Sequence, residues 1–187
     1  MTSVLVPLAQ GCEELEAVTI TDLLTRAGVN VITAGLDEQP VEASRGLIIL
    51  PTTSIAKISD RLFDMVVLPG GLPGANHLRD NADVQNILKN HANNNRYVAA
   101  ICAAPKALAR AGLLKNKTVT CYPGALDEIK QDEVKRDDIN ITQAALQIDG
   151  KIITSRGPGT AMDFALALIE LLEGTEKKQA VEKALVR

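Results

Sequence analysis

Four places along this chain carry residue types and spacings suited to chemistry, and each follows a short apolar run. Cys102 comes directly after Tyr97-Val98-Ala99-Ala100-Ile101 and just before a helical stretch, Ala104 to Ala111. A cysteine in such a strand-to-helix turn lies near unpaired N–H groups and a helix dipole, which favour the thiolate and lower its pKa from about 8.5. The same amides can hold the oxyanion of an attacked carbonyl. The plainer reading is a small buried hydrophobe, which is what most free cysteines are. Gly70-Gly71 follows Met65-Val66-Val67-Leu68, and two residues without Cβ let the backbone approach a ligand closely; alone, the pair reads as an ordinary turn. Gly11-Cys12-Glu13-Glu14-Leu15-Glu16 opens a helix behind the first apolar run. Acidic residues there complement the helix dipole. A functional role needs one carboxyl turned inward toward Cys102, where desolvation raises its pKa and lets it donate a proton. Glu13 and Glu16 share a face and Glu14 lies off it, so spacing leaves both open. The fourth place is Arg156-Gly157-Pro158-Gly159.

These residues need a sheet whose strand ends converge. Val4 to Leu8 reads as a strand, with Pro7 arguing against a fully paired central position. Glu13 to Ala27 has helical periodicity and stops at Gly28; Val29 to Ile32 is the next strand. Such a start implies a right-handed parallel crossover. Leu47 to Leu50 is one arm of a small hairpin, Ser54 to Ser59 a short helix, and Asp83 to Ala92 a longer one. Later come a strand at Thr118 to Thr120, a polar helical stretch from Asp127 to Lys135, and a hairpin of Ala144 to Ile148 with Lys151 to Thr154 turning at Asp149-Gly150. Helices are expected at Thr160 to Leu172 and, as an amphipathic tail, Glu176 to Leu185. Alternating strands and helices make this a single α/β domain over residues 1–187 with a mainly parallel sheet, and ligands in such sheets bind outside the carboxyl ends of the strands.

Composition excludes several functions. The 187 residues are 46% hydrophobic and 23% charged, with a net charge of −3, no Trp, two Tyr and two Phe. There is no basic footprint for a phosphate backbone and few rings on which bases could stack, so no specific nucleic-acid binding is expected. No apolar stretch approaches the ~20 residues of a membrane span, and the N-terminus lacks the basic start of a signal peptide; a cytoplasmic location is expected. No GxGxxG follows the first strand, and no Lys-Ser/Thr follows the glycines, so dinucleotide and phosphate loops are unsupported. Three widely spaced cysteines and two histidines suggest neither a disulfide framework nor a metal site. Cys12 and Cys121 read as packing residues, His77 and His91 as surface residues.

Taken together, Gly11 to Glu16, Arg26-Ala27-Gly28, Val66 to Gly71, Ala99 to Pro105 and Ser155 to Thr160 resemble the ThiJ/PfpI superfamily, in the branch that holds the human parkinsonism-associated deglycase and the bacterial chaperone YajL. The resemblance covers essentially the whole chain. It implies a flavodoxin-like three-layer sandwich, usually a homodimer, with no cofactor. It also implies that Cys102 is the nucleophile and Glu16, rather than Glu13, its protonated acidic partner. The N–H groups of Gly71 and Ala103 match oxyanion-holding positions. Arg45 and Arg156 match anion-binding residues near the cysteine, and Arg26 one contributed across the dimer. Many relatives place a His where this chain has Tyr122, which leaves a Cys102–Glu16 dyad without a relay. Protease-like relatives carry His directly after the nucleophile; here that residue is Ala103, which argues against peptidase activity. The function implied is a glyoxalase or protein deglycase acting on methylglyoxal-type dicarbonyls or their early protein adducts. The alternative is an oxidative-stress sensor and redox-dependent chaperone working through oxidation of Cys102.

Overall fold

The computed structural model of the chain describes residues 1–127 and 136–187. Its main sheet contains β1 (Ser3–Leu8), β2 (Asn30–Gly35), β5 (Thr53–Ser54), β6 (Met65–Leu68), β7 (Tyr97–Ile101), β10 (Leu146–Asp149) and β11 (Ile152–Ser155). Their spatial order is β10-β11-β7-β6-β1-β2-β5, with every pairing parallel except β10 with β11. The central strands alternate between two cores because successive side chains leave opposite faces. Val4, Val6, Met65, Val67, Ala99 and Ile101 pack on one side, under α1 (Glu14–Arg26) and α5 (Ala161–Glu173). Leu5, Val66, Leu68, Val98 and Ala100 pack on the other, under α3 (Ala82–Asn93) and α4 (Pro105–Arg110). That makes the expected three-layer flavodoxin-like sandwich. The charged tail forms α6 (Thr175–Ala184), which buries Val181 against α5.

The chain builds outward from β1 to β2 and β5, then returns to β6 and continues through β7 to β11. The order therefore reverses between β1 and β6, and the loops leaving these two strands open a crevice there. Glu16, Gly70-Gly71 and Cys102 come from three successive strand ends around it.

Several expectations need correction. β1 is a central strand despite Pro7. Proline is tolerated because β6 pairs only with Val4 and Leu5, so the ladder on that side ends before the missing N–H. The hairpin turns at Gly150 and Lys151 rather than at Asp149-Gly150. Asp149 still pairs with Ile152, and Gly150 takes the positive φ of +63°. Ser54 to Ser59 shortens to an edge strand plus one 3-10 turn, Ile55–Lys57. The Leu47 to Leu50 arm is the two-residue β4 (Ile48–Ile49), paired with β3 (Val41–Glu42) outside the main sheet. Unforeseen elements are α2 (Gly74–Asp80) and β9 (Asn140–Thr142), which pairs with β8 (Thr118–Thr120). The helical stretch expected at Asp127 to Lys135 falls, past Asp127, outside the described residues. Among the described residues, no helix is long and apolar enough to cross a membrane.

Candidate active site

Cys102 occupies the turn between β7 and α4 with φ +62°, a left-handed conformation that costs a non-glycine residue roughly 1–2 kcal/mol. Neighbouring elements hold it there. Its N–H donates to the Ser155 carbonyl at the end of β11 (3.0 Å), and its own carbonyl accepts the Tyr122 N–H (2.8 Å). The residue is 8% exposed. The N–H groups of Gly71 and Ala103 face the sulfur and favour its anion, as oxyanion-holding amides would.

Glu16 lies in the first turn of α1 and is fully buried. The Gly70 N–H donates to its Oε2 (2.7 Å), whereas Oε1 has no hydrogen-bond partner among the described residues. Gly70 is the point on which the site converges. A Cβ there would lie 2.7 Å from Cys102 Cβ, 2.9 Å from Glu16 Oε2 and 3.0 Å from Ala103 N. Gly71 is equally constrained, with φ +88° and a would-be Cβ 2.3 Å from Glu13 N. The glycine pair exists because any side chain would displace the acid, the thiol or the start of α1.

Burial pushes the Glu16 carboxyl up from its ordinary 4.5 to about 7, with the Gly70 N–H and the Cys102 side chain opposing. That agrees with the expected raised acid. The Cys102 thiol departs from expectation: burial, then the Glu16 charge, raise it to about 12 against the pull of the two amides. Removing the sulfur from water beside a carboxylate outweighs those two donors. The pair therefore holds one proton above about pH 7, and its first proton leaves near that value.

The other sequence candidates separate. Glu13 stands at the N-terminal boundary of α1 without a capping side-chain bond and, with Glu14, accepts from the Ser44 hydroxyl (3.0 and 3.1 Å). This turns it away from the acid position that Glu16 fills. Arg45 sits in the β3–β4 turn beside α1, where its N–H donates to Glu14 Oε1 (2.8 Å) and its side chain is exposed. Arg156 follows Ser155 and donates through Nη1 to the Gln143 carbonyl (2.8 Å). Arg26 is at the far end of α1, ion-paired with Asp22 (2.7 Å). Ten residues of helix separate it from Glu16 by roughly 15 Å, so one chain does not bring it to the cysteine. Tyr122 is half exposed, with its ring against Gly157.

Cys12 and Cys121 are buried as expected. His77 is exposed, but His91 is fully buried: Nε2 accepts the Phe63 N–H (2.9 Å) and Nδ1 faces the Ile87 carbonyl (2.8 Å). The sequence signal was available, since Val84, Ile87, Leu88 and His91 fall at i, i+3, i+4 and i+7 on one face. Two further roles were not foreseen: Gly70 as the donor to Glu16, and the backbones of Ser155 and Tyr122 as the clamp on Cys102. Among the described residues, no group of three or more His, Cys, Asp or Glu is placed to hold a metal ion.

Residues 2–171 match the DJ-1/PfpI family. Over 185 residues the chain is 43% identical to Protein dj-1beta of Drosophila melanogaster, covering 98% of this chain and 96% of that protein. It is 34% identical over 176 residues to the Glutathione-independent glyoxalase DJR-1.2 of Caenorhabditis elegans, covering 94% and 91%. The crystal structure of Drosophila melanogaster DJ-1beta superposes with a TM-score of 0.91 at 41% identity, spanning 99% of this chain and 97% of that one.

Proposed function

Because the chain belongs to the DJ-1/PfpI family, we propose that it is a cysteine-dependent, cofactor-independent glyoxalase using a Cys102–Glu16 dyad. Its substrates are methylglyoxal-type dicarbonyls or the early adducts they form with proteins. The observation that carries this reading is the convergence of a clamped thiol and a raised carboxyl around Gly70, with two backbone amides on the sulfur.

The Glu16 carboxylate accepts the Cys102 proton as sulfur adds to the aldehyde carbon. The former carbonyl oxygen takes up a proton, giving a hemithioacetal. Glu16 then removes the hydrogen from that carbon and a proton returns to the neighbouring ketone carbon through an enediol. The aldehyde carbon is thereby oxidised and the ketone carbon reduced, leaving a thioester on Cys102. Water cleaves it to a hydroxy acid and restores the thiol. Each transfer asks for a base that is charged near neutrality and readily reprotonated, which a carboxyl raised to about 7 supplies. Tyr122 is not required as a base.

A second copy of the chain is part of this reading. Leu15 and Val18 of α1 are 50% and 46% exposed, and Leu47, Ile48 and Leu50 of the small hairpin are also exposed. Pairing through these faces is the arrangement in which Arg26 reaches a partner's site.

Lactate formed from methylglyoxal by metal-free wild type, Cys102→Ser and Glu16→Gln tests the proposal. Loss in both variants supports the dyad; full activity in Cys102→Ser overturns it. Oxidation of Cys102 is the competing reading, and mass spectrometry after mild peroxide tests it by whether oxidation falls preferentially on Cys102.

A further inference from the structure

Thr160 stands at the N-terminal boundary of α5, where a threonine hydroxyl ordinarily accepts an N–H of the first helical turn. It makes no such bond. Its Oγ1 turns back instead, to 2.6 Å from Ser155 Oγ at the end of β11, a hydroxyl–hydroxyl hydrogen bond. The Gly157 N–H also donates to it (3.2 Å), closing the 3-10 turn Pro158–Thr160. Either hydroxyl can donate in the Ser155–Thr160 pair. In both arrangements the remaining proton goes to a backbone carbonyl, Ala145 from Ser155 or Gly157 from Thr160 (2.9 Å each).

Ser155 is fully buried, and it is the last residue of both its ladders, opposite Leu146 of β10 and Ile101 of β7. β10 is the edge of the sheet. Past Ser155 the strand end is therefore fixed by its hydroxyl rather than by further ladder bonds. The carbonyl of this residue receives the Cys102 N–H (3.0 Å), and Cys102 carries φ +62°. A left-handed residue persists only while its surroundings hold it there. If the Ser155 carbonyl shifts, the turn relaxes, and the sulfur leaves Glu16 and the amides of Gly71 and Ala103.

We propose that Thr160 is a positioning residue for Cys102: its hydroxyl fixes Ser155, whose carbonyl holds the nucleophile in its strained turn, and the cap on α5 is forgone in exchange. The hydroxyl reaches only Ser155 and Gly157 among the described residues, so it acts through the strand end and not on substrate. The inference rests on the glyoxalase reading for its effect on turnover, and on geometry alone for its effect on the thiol.

Thr160→Val keeps the branched shape and removes the hydroxyl, whereas Thr160→Ser keeps the hydroxyl. Two quantities are measured in both variants and in wild type: lactate formation across methylglyoxal concentrations, and the pH dependence of iodoacetamide alkylation at Cys102, read by mass spectrometry of its peptide. In Thr160→Val, kcat is expected to fall about tenfold or more while KM stays within about twofold. Thr160→Ser restores most of that loss. Burial and the Glu16 charge hold the thiol up to about 12, and a loosened sulfur loses part of both. The alkylation curve of Thr160→Val therefore moves to lower pH even as turnover falls. A merely structural tie would lower stability and move neither kcat nor this curve in the folded protein.

An unmoved alkylation curve in Thr160→Val, whatever its kcat, overturns the proposal, as does a Thr160→Ser variant as slow as Thr160→Val. If Thr160→Val does not fold, Ser155→Ala removes the same bond from the strand side and is read by the same two assays. A wild type that forms no lactate overturns the glyoxalase reading, and the alkylation curve still decides the role of Thr160.

Discussion

Replacing Glu16 with Gln removes a buried charge while keeping an oxygen to accept the Gly70 N–H, and the consequence for stability can be worked from the site. Burial raises the folded-state carboxyl from 4.5 to about 7. In the unfolded chain it returns to its ordinary value. Between these two values the folded protein binds more protons than the unfolded one, so stability declines as pH rises. The contribution is fully present below about 4.5 and is lost as pH passes about 7. A displacement of about 2.5 pH units at about 1.36 kcal/mol each amounts to about 3 kcal/mol. Gln does not titrate, so the variant lacks this slope. Its uncompensated side-chain group, standing where Oε1 has no partner, shifts both ends of the profile alike. Urea unfolding of the two reduced proteins at pH 4.5, 6, 7 and 8 gives the difference, because titrating groups distant from Glu16 cancel in it. The variant is expected to gain about 3 kcal/mol relative to wild type across that range. A difference that stays flat within about 1 kcal/mol refutes the buried-acid argument and, with it, the reason for assigning proton transfer to Glu16.

Other perturbations follow from the same geometry. The pair loses its first proton near 7, so kcat/KM for methylglyoxal should rise with pH through that value. Residual activity of Glu16→Gln should lack the limb; an unchanged profile in the variant assigns the ionisation elsewhere. Gly70→Ala forces a methyl to within 2.7 Å of Cys102 Cβ and 2.9 Å of Glu16 Oε2, which should destabilise the fold by about 1–3 kcal/mol and cut lactate formation by about 100-fold. At Cys102, with φ +62°, Gly should be tolerated as well as Ala or better in thermal unfolding, although Gly elsewhere costs about 0.5–1 kcal/mol. His91→Leu orphans the buried Phe63 N–H, at a cost of about 1–3 kcal/mol by urea titration. Burial lowers the His91 pKa, so its contribution in wild type fades as pH falls below the ordinary 6.5, and the variant's deficit should narrow at pH 5.

The sequence by itself determined the layered α/β plan and singled out residues that the fold brings together around Gly70. Runs such as Val66-Val67-Leu68 and Ala99-Ala100-Ile101 are apolar throughout because both faces of a central strand are covered. A cysteine or glycine pair directly behind such a run must lie at the sheet's carboxyl edge. Periodicity also put Glu13 and Glu16 on one face of α1, and motif resemblance singled out Glu16. What tertiary structure decided was how these groups behave. Glu13 and Glu16 carry the same side chain, but one reaches the Ser44 hydroxyl and the other is sealed beneath Gly70. The Cys102 pKa could not be read from its place before a helix, because desolvation and the Glu16 charge depend on atoms from three separate strand ends. Pro7 misled for a similar reason: a strand's tolerance of proline depends on where its neighbour's ladder stops. Local pattern records which face a residue occupies, while the cost of burying charge is set by everything packed around it, and that is assembled only in three dimensions.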